Sequence, residues 1–204
     1  QIPLAGEKVS GDTYKTVADL EGRMHIILSD GMGSGRAAAV DSTMATALLA
    51  KMLRAGVGFD AALKLLNCAL VLKSPEESLA TVDIASVNLY TGQADFYKAG
   101  AAPSFLLKGR KAGYIQSTSL PAGILEGIAF EHAAAALKEG DLLVLVSDGV
   151  VATGMDWVLS ELEHLETDDP QAVAERIAQN ASMRRQGRRG DDVTAVVAAL
   201  RRAE

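Results

Sequence analysis

Two stretches of the chain are apolar at nearly every position, Met24 to Ser29 and Leu142 to Val146. Short runs of this kind, bounded by turn residues, read as buried strands. Arg36 to Ala55, rich in Ala, Leu and Met, predicts a helix closed by Gly56. Phe59 to Leu72 predicts a second helix, stopped before Pro75. The pattern then shortens. Thr81 to Leu89, Ala94 to Ala99, Ser104 to Leu107 and Gly113 to Gln116 predict strands, with Thr91-Gly92 and Lys108-Gly109 as hairpin turns. Trp157 to Leu165 and Pro170 to Met183 predict helices, and Val193 to Leu200 a last strand.

Helices in the middle, hairpins after them and strands towards both ends predict α+β layering rather than βαβ alternation. Composition and charge narrow the picture. At 204 residues the chain is read as one domain, 1–204, with neither internal repeats nor a low-complexity linker. Its 49% hydrophobic share is ordinary, and no apolar run approaches the ~18–20 residues of a membrane span. A formal charge of -6 argues against general nucleic-acid binding, and a single cysteine, Cys68, excludes an internal disulfide framework and fits a reducing compartment. The start at Gln1-Ile2-Pro3 reads as a portion cut from a longer regulatory protein.

The chemistry begins with "HIILSDGMGSG", His25 to Gly35. It reads either as a glycine-rich nucleotide turn or as a setting for the acid at the strand end, Asp30. Asp30 has counterparts. "LLVLVSDGV" repeats the Asp-Gly pair as Asp148-Gly149, "RRGDDVTAVV" places Asp191 and Asp192 just ahead of the last strand, and "VSGDTYK" places Asp12 just before another. Any one Asp-Gly pair is an ordinary turn. Four strand edges with the same grammar can deliver four carboxylates to one volume. Such a cluster cannot stay ionised unaided, because like charges raise one another's pKa. Hard Mg²⁺ or Mn²⁺ removes the conflict. Zinc suits the sequence less well, since His25, His132 and His164 show no paired spacing. Two ions sharing a bridging carboxylate would activate a water and clamp a phosphoryl group, chemistry that needs no side-chain nucleophile. Cys68, among leucines at helical spacing, is expected in the core.

"SGDTY", "SDGMGSG", "KAGAAPSFLL", "LPAGIL", "EGDLLVLVSDGV" and "GDDVTAVV" occur in the order seen in metal-dependent (PPM, type 2C) serine/threonine phosphatases. The chain resembles more narrowly the bacterial branch typified by the phosphatase domain of stage II sporulation protein E. The likeness runs from about Gly11 to Leu200, and the ordered set is far more specific than any single motif. It implies a four-layer α-β-β-α sandwich of two mainly antiparallel sheets, with two Mn²⁺ or Mg²⁺ ions at one end. Asp30 is similar to the family's bridging aspartate, with the Gly31 carbonyl as a further ligand. Asp148 and Asp191 would hold one metal, and Asp12 would complete the other side, directly or through water. Asp191 is preferred to Asp192, which sits where a supporting Asn or Asp is common. The implied substrate is a phosphorylated regulatory protein of the anti-sigma-factor-antagonist type. The resemblance also associates the two helices after Asp30 with regulation. It implies a cytoplasmic domain without membrane contact of its own, in a full-length protein that carries an upstream sensor or membrane region, and it leaves a homodimer open. The phosphate-binding arginine of eukaryotic relatives has no clear equivalent.

Two rivals stand beside this reading. The nucleotide turn lacks the Walker Gly-Lys-Ser/Thr ending, and an aspartate at its mouth would face a pyrophosphate with the wrong sign. A binding module with the same fold, regulating by contact, is not excluded by fold alone, although a module of that kind has no need of four mutually repelling carboxylates. "MRRQGRRGDD" adds Arg184, Arg185, Arg188 and Arg189, read either as a solvated loop or as a basic lip that steers an acidic phosphoprotein. Trp157 and Met32 are read as packing residues.

Overall fold

Two of the strands that carry the acidic ends, the pair of apolar runs, serve two cores each. A computed structural model describes residues 1–33, 35–73, 79–125, 129–185 and 190–201. Its strands are β1 (Asp12–Ala18), β2 (Arg23–Asp30), β3 (Val82–Asn88), β4 (Gln93–Ala99), β5 (Ser104–Lys108), β6 (Lys111–Ile115), β7 (Glu131–Ala136), β8 (Leu142–Val146) and β9 (Ala195–Ala199). Its helices are α1 (Gly35–Arg54), α2 (Phe59–Lys73), α3 (Asp148–Val151), α4 (Asp156–Glu163) and α5 (Pro170–Arg184). One antiparallel sheet has the order β1-β2-β3-β4-β7 and the other β6-β5-β8-β9.

Successive residues of a strand point to opposite faces. In β2, Ile27 therefore joins Leu49, Leu63, Leu66 and Leu70 of the α1–α2 layer, whereas Ile26 and Leu28 face Phe96, Leu106, Leu143 and Leu145 between the sheets. In β8, Leu143 and Leu145 fill that same middle layer, while Val144 and Val146 meet Val158, Leu162, Val173 and Ile177 of α4 and α5. A strand covered on both sides has little room for polar alternation, which is why residues 26–28 and Leu142–Val146 are unbroken apolar runs. The result is the four-layer α-β-β-α sandwich, an α+β fold with one core between the sheets and one under each helical layer.

Local signals place most boundaries. Gly56 closes α1 at φ +79°, and Gly109 turns the β5–β6 hairpin at φ +61°. Asp169 caps α5 by accepting from the Ala172 amide at 3.0 Å, with Pro170 in the first turn. Two elements were not anticipated, β7 and the single turn α3. Cys68 corrects an expectation, for it is exposed. The inward face of α2 is formed by Ala62, Leu63, Leu66, Asn67 and Leu70. Asn67 is the buried polar residue there, donating to Leu125 O at 2.9 Å and accepting from the Gly123 amide at 2.8 Å. Among the described residues no helix is long and apolar enough to cross a membrane.

Candidate functional site

β1 begins and β2 ends at the same end of the first sheet, so Asp12 lies directly opposite Asp30. Opposed residues of antiparallel strands project to one face, which brings these carboxyls together through backbone pairing alone. The Asp30 backbone is fixed from the other side. Its amide donates to Thr81 Oγ1 at 2.9 Å, and its carbonyl accepts from the Thr81 amide at 2.8 Å. Gly31 follows in close contact with α1, where a Cβ would stand 2.0 Å from Ala38 O. No side chain fits at that position.

The second sheet supplies the other acids just beyond its last paired residues, Val146 and Ala195. Ser147 leaves β8 in an extended conformation, and Asp148 opens α3. The Ser147 amide donates to Thr194 O at 3.0 Å, and the Thr194 amide donates to Ser147 Oγ at 2.9 Å. Thr194 Oγ1 then donates across to Asp12 Oδ2 at 2.6 Å, joining the last strand to the first. Gly149 approaches the opposite segment so closely that a Cβ would lie 1.9 Å from Asp192 O.

The two aspartates ahead of β9 have different tasks. Asp192 is buried, and both its oxygens are occupied: Oδ1 accepts from the Leu4 amide at 2.8 Å and Oδ2 from the Gly11 amide at 2.7 Å. It pins the N-terminal segment to the second sheet. Asp191 keeps its carboxyl half-exposed and accepts from the Asp192 amide at 3.0 Å. Of the adjacent pair, Asp191 is the one whose charge bears on Asp30 and Asp148.

The electrostatics show how closely these groups approach. Burial, and after it the charges of Asp12, Asp148 and Asp191, push the Asp30 carboxyl up to about 9. Burial raises Asp12 to about 6, against the pull of its Thr194 and Ser147 hydroxyl partners and with the help of Asp192 and Asp148. Asp148 is raised by desolvation around its carboxyl and then by Asp191, while the Gly149 amide and Arg185 act in the opposite direction. The four expected acids are one electrostatic unit.

A divalent cation would suit this unit. Asp12 Oδ1 is buried and meets no hydrogen-bond donor, and the group beside it is the Asp30 carboxyl, itself an acceptor unless protonated. Buried acceptors are rarely left this way. The donor set is all oxygen, as Mg²⁺ and Mn²⁺ prefer and as zinc and copper do not. Among the described residues no three His, Cys, Asp or Glu side chains are arranged to hold an ion as they stand.

Sequence reasoning missed the supporting hydroxyls of Thr81, Ser147 and Thr194, although the last two lie inside quoted motifs. Of the four arginines, Arg184 is exposed and Arg185 departs from both readings. Arg184 stacks its guanidinium 4.9 Å from the centre of the Trp157 ring, and Arg185 turns inward to the acidic end. Arg188 and Arg189 lie outside the described residues.

Comparison with known proteins follows the same lines. The family model described as Stage II sporulation protein E (SpoIIE) matches residues 20–201. Stage II sporulation protein E of Priestia megaterium is 34% identical over 201 residues, covering 96% of this chain and 34% of that protein. Phosphoserine phosphatase RsbU of Bacillus subtilis (strain 168) is 26% identical over 151 residues, covering 73% of this chain and 45% of the relative. The chain thus spans about a third of the first relative and less than half of the second. Among solved structures, the PP2C phosphatase domain and a regulatory-domain fragment of SpoIIE from Bacillus subtilis superpose with a TM-score of 0.87 at 32% identity, over 96% of this chain and 59% of that one. A Mn-presoaked form of the SpoIIE phosphatase domain from the same organism gives a TM-score of 0.56 at 28% identity, over 100% of this chain and 91% of that one.

Proposed function

The chain belongs to the stage II sporulation protein E (SpoIIE) family, and on that premise we propose that it is a metal-dependent phosphatase acting on phosphoserine or phosphothreonine in a regulatory protein. The substrate class we infer is a phosphorylated anti-sigma-factor antagonist. Likeness to a phosphoserine phosphatase supports the reaction, and the ordered motifs support the choice of substrate. The observation that carries the proposal is the meeting of Asp12, Asp30, Asp148 and Asp191 from two sheets, with Asp12 Oδ1 buried and unpartnered.

In this assignment Asp30, with the Gly31 carbonyl as a further ligand, would serve the pair of Mn²⁺ or Mg²⁺ ions, Asp148 and Asp191 would hold one of them, and Asp12 would complete the other side, directly or through water. When bound, such a pair of ions supplies the Lewis acidity that activates a water and offsets charge on the phosphoryl oxygens. The chain's own residues prepare that end. Thr81 holds both the amide and the carbonyl of Asp30, so its carboxyl would need little reorganisation. Thr194 fixes one oxygen of Asp12 and leaves the other available. Asp192, with both oxygens engaged, orients the segment that presents Asp191. Likeness to a domain presoaked with Mn supports the choice of metal.

Phosphate release from a small aryl phosphate, measured with and without Mn²⁺, tests the reading. The wild type is expected to turn over only with the ion, and Asp30→Ala to stay at background in both conditions. Wild-type turnover in Asp30→Ala refutes the assignment.

A further inference from the structure

The acids of the second sheet lie past the end of its hydrogen-bond ladder, so strand pairing does not set the distance between them. After the Ser147–Thr194 bonds, one chain turns into α3 at Asp148-Gly149 and the other continues to Asp191-Asp192. Something else must set the gap, and a single guanidinium spans it. Arg185, the residue that ends α5, donates from Nη1 to Gly149 O at 3.2 Å and to Asp191 O at 3.4 Å. Its Nη2 stands 4.0 Å from Asp191 Oδ2, and its side chain is 9% exposed. A Cβ on Gly149 would meet that Nη1 at 2.9 Å, so the absent side chain makes room for the arginine as well as for Asp192.

We propose that Arg185 is a positioning residue that brackets the Asp148–Gly149 turn against the Asp191 segment and thereby sets how tightly the second sheet's half of the site holds its cation. The inference rests on the two-cation reading above. Arginine suits the task because its planar fork presents several donors in fixed directions at once. Lysine keeps the charge but lacks the fork. The bracket reaches the ion through two backbone carbonyls and the Asp191 carboxylate, and its charge also bears on Asp148. Partners of this outer kind change metal affinity by about 10- to 100-fold when removed.

Calorimetric titration of Mn²⁺ into the metal-free protein, alongside melting curves in EDTA, tests it with Arg185→Met and Arg185→Lys. The wild type is expected to take up two ions. Arg185→Met should weaken one class of site by about tenfold or more, leave the other near its wild-type affinity, and melt within a few degrees of wild type. Arg185→Lys should fall between the two. Wild-type affinities at both sites in Arg185→Met overturn the inference and leave the two-cation reading intact. Equal weakening of both sites together with a large fall in melting temperature also overturns it, because that is the mark of a purely structural arginine. A wild type that takes up no Mn²⁺ overturns the two-cation reading, and the inference with it.

Discussion

The two halves of the acidic end are built differently. Asp12 and Asp30 face each other across paired strands, one fully buried and one partly so, with their backbones held by hydrogen bonds. Asp148 and Asp191 stand on turns beyond the ladder, more open to water, and are held by a short helix and an arginine. The first half carries the largest electrostatic burden, with Asp30 raised to about 9, and has the least freedom to relieve it. The second half is where water and small movements can still adjust the charge. Under the proposed function, a rigid Asp30 carboxyl flanked by adaptable ones would be a reasonable division of labour for a site whose charge changes when a phosphate arrives and leaves.

Three experiments can break or sharpen this contrast. The largest effect is expected from comparing Asp30→Asn with Asp148→Asn at saturating Mn²⁺. The first should lower turnover by about 10³-fold, the scale of removing a central electrostatic group, and more metal should not restore it. The second should lose less and recover in part as Mn²⁺ is raised. Equal, unrecoverable losses would erase the distinction between the halves.

Next in size is the pH dependence of melting. A carboxyl whose folded pKa lies above its unfolded value of 3.8 stabilises the fold fully below that value, and the contribution is lost as pH rises through the folded pKa. For Asp30, raised to about 9, the metal-free protein should therefore melt progressively lower between about pH 7 and pH 9. Asp30→Asn should flatten that slope and raise the metal-free melting temperature, and Mn²⁺ should raise the wild type most at the alkaline end. A metal-free melting temperature that climbs over this range would contradict the charge cluster.

The smallest effect concerns the pin between N-terminal segment and second sheet. Asp192→Ala leaves the Leu4 and Gly11 amides without their acceptors, at about 1–3 kcal/mol for an unmet buried donor. In a domain of this size that is a fall of several degrees. Asp192→Asn, which keeps one acceptor oxygen, should fall less. The reverse order in thermal melts would show that Asp192 acts by charge and not as an acceptor.

Much of this architecture was legible from the chain alone, for identifiable reasons. β2 and β8 announce themselves because burial on both faces makes residues 26–28 and Leu142–Val146 unbroken apolar runs. The convergence of four Asp-bearing strand ends follows once those strands are side by side. β7 stayed hidden because "EHAAAA" carries no β-branched or aromatic residue; only its pairing with β4 makes it a strand. Cys68 went wrong for a related reason. Helical periodicity shows that α2 has an inner face, but a buried Asn67 bonded to the 123–125 turn decides which residues occupy it. The duties of Asp192 and Arg185 depend on partners from distant parts of the chain, and no local pattern encodes them.

The bond from Thr194 to Asp12 joins residues 182 positions apart. A polypeptide emerging from the ribosome at about 5–20 residues per second must wait on the order of ten seconds between making one partner and the other. Until then the early acids have neither their hydroxyl clasp nor their later companions, and the nascent chain is spared the crowding that the finished protein bears. Maturation of this end therefore waits for the Thr194 segment, and a ribosome stalled before Thr194 would hold a chain whose acidic end has not closed.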